Sequence, residues 1–80
     1  MPEQNSTELG VDEYAIVTLA YERLYETFKT GQRIPVTSVK HTVDFLVSEF
    51  DIPNASSARI MREMERQELI RRDQKEYVLK

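Results

Sequence analysis

The chain has 80 residues, of which 40% are hydrophobic and 31% charged, with a net charge of −3 and no cysteine. This size leaves room for one small domain, and the apolar content excludes an intrinsically disordered chain. The lack of cysteine excludes a disulfide framework and thiolate metal sites, which is typical of an intracellular, cytoplasmic protein.

The charge is unevenly distributed. Residues 1–50 carry four basic side chains against eight acidic ones, whereas residues 51–80 carry seven against six. Five of those seven are arginines. A cationic surface is therefore expected in the last thirty residues.

Several function classes lack the residues they need. No apolar run approaches the length of a membrane span. No glycine-rich phosphate loop or Ser/His/Asp grouping occurs, and the single histidine, His41, has no set of partners for a metal. We therefore expect no enzyme activity, no cofactor, no metal, no membrane contact and no small-molecule substrate.

The first predicted helix follows a polar leader. Residues 1–10 lack periodicity, so we place a flexible leader there and the domain at residues 11–80. Apolar residues then recur at helical spacing, which predicts a helix over residues 11–29 closed by Thr30 and Gly31. Aromatic residues at this spacing usually form core, but the stripe is wide enough to suggest a homodimer interface. Its candidate residues are Tyr14, Val17, Tyr21 and Leu24.

The remaining elements follow closely. Residues 32–36 contain Pro35 and predict either an extended connection or an edge strand. Thr37 or Ser38 is a candidate cap for a second helix that ends near Asp51. After a break at residues 52–54, a third helix is predicted over residues 54–67, and residues 69–80 predict a short β-hairpin.

Two helices joined by so short a break are typical of a helix-turn-helix, whose second helix enters the major groove of DNA. On the third helix Arg59, Arg62 and Arg66 share one face, where guanidinium groups could address phosphates or guanine edges. Small polar residues at its start could position it on a phosphate through free N–H groups and side chains. They are Asn54, Ser56 and Ser57.

The hairpin carries a second basic group at or near its tip, namely Arg71, Arg72 and Lys75. The run from Ser56 to Arg72, with a serine-initiated helix that leads into Leu69-Ile70-Arg71, resembles the winged-helix DNA-binding family. Where such domains usually have a glycine before this Leu-Ile pair, the chain has Gln67-Glu68. The resemblance implies a mainly α fold of three helices with a short β-hairpin wing, and a sequence-specific regulator of transcription that binds double-stranded DNA in the cytoplasm or nucleoid.

Other interpretations use the same fold. Arginines and glutamates that alternate on a helix also occur on purely solvated faces. The acidic total charge and the apolar first helix are compatible with a protein-binding winged helix that does not bind DNA. A third possibility is that the acidic N-terminal half docks onto a basic partner while the C-terminal half holds DNA.

Overall fold

The computed structural model describes residues 9–29 and 31–80. The elements in chain order are α1 (Val11–Thr27), β1 (Arg33–Pro35), α2 (Val36–Glu49), α3 (Ser56–Arg66), β2 (Ile70–Asp73) and β3 (Glu76–Leu79). Strand β3 lies between β1 and β2 and is antiparallel to both. Three helices and a small antiparallel sheet in this order form a winged helix-turn-helix layout, which confirms the predicted fold class.

The core lies where the three helices meet one face of the sheet. Side chains alternate along β3, so Tyr77 and Leu79 are buried while Val78 between them is only partly covered. The helices contribute apolar residues at helical spacing, such as Ile16 from α1 and Ile60 from α3. One continuous core therefore fixes the orientation of α3 relative to the hairpin.

The packed domain begins two residues before the predicted boundary. Leu9, which we assigned to the leader, is buried in the core, and Gly10 caps α1. The Gly10 N–H donates to Glu13 Oε1 at 2.8 Å. Residues 1–8 of the predicted leader lie outside the described part of the chain, as does Thr30, the predicted helix end.

The wide apolar stripe of α1 divides between core and surface. Val17 and Leu24, which we predicted at a dimer interface, are at most 2% exposed and pack inside the domain. Tyr21 packs against the core and is partly buried, and Tyr14 is 39% exposed. The prediction for Val17 and Leu24 is therefore wrong, because the chain's own core already uses both side chains.

The connection between α1 and α2 forms a strand and a proline cap. Residues 33–35 pair with β3, so the edge strand is the correct alternative. Pro35 takes the N-cap position of α2, and its φ of −56° suits the helix start. Thr37 and Ser38, our candidate caps, lie inside the helix, which begins at Val36.

Helices α2 and α3 end in the same backbone motif, with a non-glycine residue in the left-handed region. Asp51 has φ 57° and Glu68 has φ 62°. At α3 the Leu69 N–H donates to Met64 O and the Glu68 N–H to Glu65 O, which is the Schellman pattern. Glu68 thus occupies the conformation that glycine usually supplies before the first wing strand.

Candidate nucleic-acid interface

Arg62 lies at the centre of the exposed face of α3. The helix turns Ile60 and Met64 fully into the core, and Arg62 is exposed on the opposite side. Within the described part of the chain, Arg62 makes no hydrogen bond, ion pair or ring contact. Its five N–H donors are therefore available to a ligand.

Arg66 is exposed but tied to a carboxylate of its own helix. Its Nε and Nη2 donate to the two oxygens of Glu63 at 2.9 and 2.6 Å. Gln67 donates a third hydrogen bond to the same carboxylate at 2.7 Å. The bonds from Arg66 and Gln67 lower the pKa of Glu63 to about 2, against burial, which would raise it. Arg66 is thus a positioned cation whose charge is largely balanced.

Arg59 faces the start of α1. Its Nη1 lies 3.3 Å from Glu13 Oε2, and the Glu13 side chain is 10% exposed. Oε2 accepts no hydrogen bond of good geometry among the described residues, so this contact is an ion pair only. Burial would raise the pKa of Glu13, but the Gly10 N–H, the Ser56 hydroxyl and the Arg59 charge lower it.

The N-terminus of α3 faces the domain's own carboxylates. Ser56 and Ser57 are buried, at 5% and 4% exposure. The Ser56 hydroxyl lies against Glu13, and Ser57 Oγ donates to Asp44 Oδ1 of α2. Their backbone N–H groups donate to the carbonyls of Pro53 and Asn54.

The two serines therefore connect α3 to the other helices. At the start of α3, the positive end of the helix dipole faces the carboxylates of Glu13 and Asp44. We had expected this end of the helix to bind a phosphate. Of the three predicted residues at this end, only Asn54 has an exposed side chain. Lys40 completes the α2 contact by donating to Asp44 Oδ2 at 2.8 Å. Burial would raise the pKa of Asp44, but the bonds from Lys40 and Ser57 lower it.

The hairpin presents its basic residues on different sides. Arg72 and Tyr77 are cross-strand partners, and the guanidinium carbon of Arg72 lies 5.5 Å from the Tyr77 ring centroid. Arg71 alternates to the outer face of the sheet, opposite Val78. Lys75 is exposed in the two-residue turn, next to Gln74.

Two sets of contacts that the sequence did not indicate hold the sheet in place: one joins it to α3, and the other joins its strands. Tyr77 donates its hydroxyl to Glu65 of α3 at 3.0 Å. On the outer face Arg33 of β1 pairs with Asp73 at 2.7 Å and with Glu76 at 3.3 Å. The strand register brings Arg33 close to Asp73 and Glu76, but β1 is far from β2 and β3 in sequence. Tyr77 meets Glu65 through the packing of the sheet on α3, so only the tertiary structure reveals these contacts.

Internal pairing leaves unpaired cations and unpaired carboxylates on different elements of the domain. Among residues 9–29 and 31–80, the arginines and lysines of α3 and the hairpin that have no partner are Arg62, Arg71 and Lys75. Over the same ranges, the carboxylates without a partner lie on α1 and at the end of α2. They are Asp12, Glu22, Glu26, Glu49 and Asp51. The unpaired cations thus lie on α3 and the hairpin, whereas the unpaired carboxylates lie on α1 and at the end of α2, beside the turn of the helix-turn-helix.

Comparison with known proteins gives no family assignment: no family model matches the chain, and neither a curated protein nor a solved structure matches it. No cluster of three or more potential metal ligands occurs among the described residues. The described helices include none with the length and apolar character of a membrane span.

Proposed function

We propose that the chain is a winged-helix protein that binds double-stranded DNA and acts as a regulator of transcription. The observation that carries the proposal is the segregation of unpaired charge: Arg62, Arg71 and Lys75 are the cations left over on α3 and the hairpin. A helix-turn-helix that offers an unpaired arginine at the centre of its second helix has the geometry for the major groove.

The proposed contact set is narrower than the one expected from the sequence. Arg62 addresses base edges or phosphates, and Asn54 contacts a phosphate ahead of α3. Arg66 and Arg59 bring guanidinium groups to the rim while their carboxylates neutralise much of their charge. Ser56 and Ser57 are left out because their hydroxyl groups are buried.

The wing contributes phosphate contacts from Lys75 at the turn and from Arg71 and Arg72 on β2. The guanidinium group of Arg72 would contact a phosphate while it lies over the ring of Tyr77. With this role we propose a cytoplasmic or nucleoid-associated location.

Binding of a labelled random duplex at low salt tests the proposal. We expect measurable affinity that falls with salt at a log–log slope of about −0.9 per neutralised phosphate. Arg62→Ala should weaken binding to this duplex and make the salt slope shallower by about 0.9, the loss of one phosphate contact. The matched control is Lys29→Ala, an exposed cation in the loop between α1 and β1, outside α3 and the hairpin turn.

The alternative is a protein-binding winged helix without DNA affinity, and the exposed apolar and acidic residues of α1 favour it. Two results would support this alternative. One is no binding to the random duplex at low salt, and the other is an equal loss of DNA affinity in Arg62→Ala and Lys29→Ala.

A further inference from the structure

The exposed side of α1 carries a shallow, open depression lined by two tyrosines and two glutamates. Tyr21, Glu22, Tyr25 and Glu26 line it, and we call it the tyrosine–glutamate cleft. The two rings have centroids 6.0 Å apart and are tilted by 44°. Tyr21 is held by the core beneath it, whereas Tyr25 is 46% exposed.

The carboxylates of this cleft lack cations. No lysine or arginine among the described residues pairs with Glu22 or Glu26. Arg23, their nearest cation in sequence, lines a neighbouring pocket together with Glu26, but its guanidinium carbon is 5.0 Å from the Phe45 ring centroid and it forms no ion pair with either glutamate. This differs from α3 and the sheet, where Glu63, Glu65 and Asp73 all have partners.

Aromatic faces beside unpaired carboxylates have a defined chemical preference. The face of a tyrosine ring attracts a cation, and a carboxylate within reach adds a charge-assisted hydrogen bond. A lysine or arginine side chain satisfies both, because its apolar stem packs on the rings while its charged head reaches the carboxylates.

We propose that the tyrosine–glutamate cleft is a docking site for a lysine- or arginine-bearing amphipathic segment of another protein. Charge complementarity selects this occupant. A second copy of the chain docked cleft to cleft would bring four unpaired carboxylates together, so self-association through this face is disfavoured. The site lies on α1 and is independent of DNA binding through α3.

The site is tested by titration of a labelled amphipathic peptide made of alternating lysine and leucine blocks. Binding is measured by fluorescence anisotropy at low salt. We expect binding that weakens as salt rises, and none to the matched glutamate–leucine peptide. The double variant E22Q/E26Q should weaken binding about five- to tenfold. Tyr25→Leu, which keeps apolar area but removes the ring face, should weaken it about threefold.

The matched control is E49Q/D51N. It also removes two exposed, unpaired carboxylates, but from the end of α2, and asparagine tolerates the left-handed conformation of residue 51. This control should leave peptide affinity within about twofold. Equal weakening by both double variants, or no peptide binding, overturns the proposal. So does a dimer in sedimentation velocity that Tyr25→Leu dissociates.

Discussion

Arg66 binds the carboxylate of Glu63, one turn earlier on α3, through two hydrogen bonds of 2.9 and 2.6 Å. Glu63 is only 5% exposed, so the anion of this pair is buried while its cation, Arg66, faces solvent. Arg62, on the adjacent position, has no such support among the described residues. Arg62 and Arg66 therefore have different roles, although both are arginines on the same helix.

Removal of Arg66 should affect folding, whereas removal of Arg62 should not. Arg66→Ala leaves the buried Glu63 carboxylate with only Gln67 as a partner, so we expect a lower urea midpoint. Arg62→Ala removes an exposed side chain, and its free energy of unfolding should change by less than about 0.5 kcal/mol. Urea unfolding followed by circular dichroism measures both. Identical midpoints for the two variants would contradict this assignment.

The buried bond between Ser57 and Asp44 should stabilise the helix-turn-helix. Ser57→Ala removes the hydroxyl that donates to Asp44 and should cost about 1 kcal/mol of unfolding free energy. Ser48→Ala is the control, since Ser48 is an exposed serine on α2 and should change stability by less than about 0.5 kcal/mol. The idea fails if both variants unfold at the same urea concentration.

Glycine at position 68 should stabilise the domain. Glu68 has φ 62°, a conformation that costs a residue with a Cβ about 1–2 kcal/mol. Glu68→Gly relieves this at a backbone-entropy cost of about 0.5–1 kcal/mol, so a net gain of about 0.5–1 kcal/mol is expected. Glu68→Ala also removes the contact with Lys80 but keeps the Cβ, and should not stabilise. A gain in both variants would show that charge, not backbone conformation, is responsible.

Acid should unfold the domain through its paired carboxylates. The pKa of Glu63 is lowered from 4.5 to about 2, and the pKa values of Glu13 and Asp44 are lowered as well. The folded state favours the ionised forms, so these carboxylates contribute their full stabilisation at pH values above their pKa in the unfolded chain. That stabilisation is lost as the pH falls through their lower pKa in the folded chain.

Unfolding free energy should therefore be level above about pH 5.5 and decline between about pH 5 and 2. Glu63→Gln should flatten this decline, whereas Glu49→Gln, at an exposed and unpaired carboxylate, should leave its shape unchanged. Urea titrations at a series of pH values measure the slope. A decline that is as steep in Glu63→Gln as in the parent chain would contradict the assignment.

The sequence predicted the helices and the hairpin because their apolar periodicity matches the core that forms. The sequence also contained a spacing at the start of α3 that we did not use, although it indicates which polar residues are buried. Ser56 precedes Ile60 by four residues and Glu63 follows it by three, so all three lie on the buried side of the helix. Their inward orientation was therefore predictable from spacing.

Their partners were not predictable. The carboxylates of Glu13 and Asp44 reach α3 from other helices, and local pattern carries no information on such tertiary pairs. For the same reason the three arginines of α3 looked equivalent in sequence. Only the packing of α1 against α3 separates Arg62 from Arg59.

The most direct measurement is chemical-shift mapping of the amide groups during titration with a DNA duplex. If α3 and the hairpin form the nucleic-acid surface, the perturbed amides will cluster within residues 54–75, centred on Arg62 and Lys75. Perturbation confined to α1, or no perturbation at low salt, would contradict a DNA-binding function.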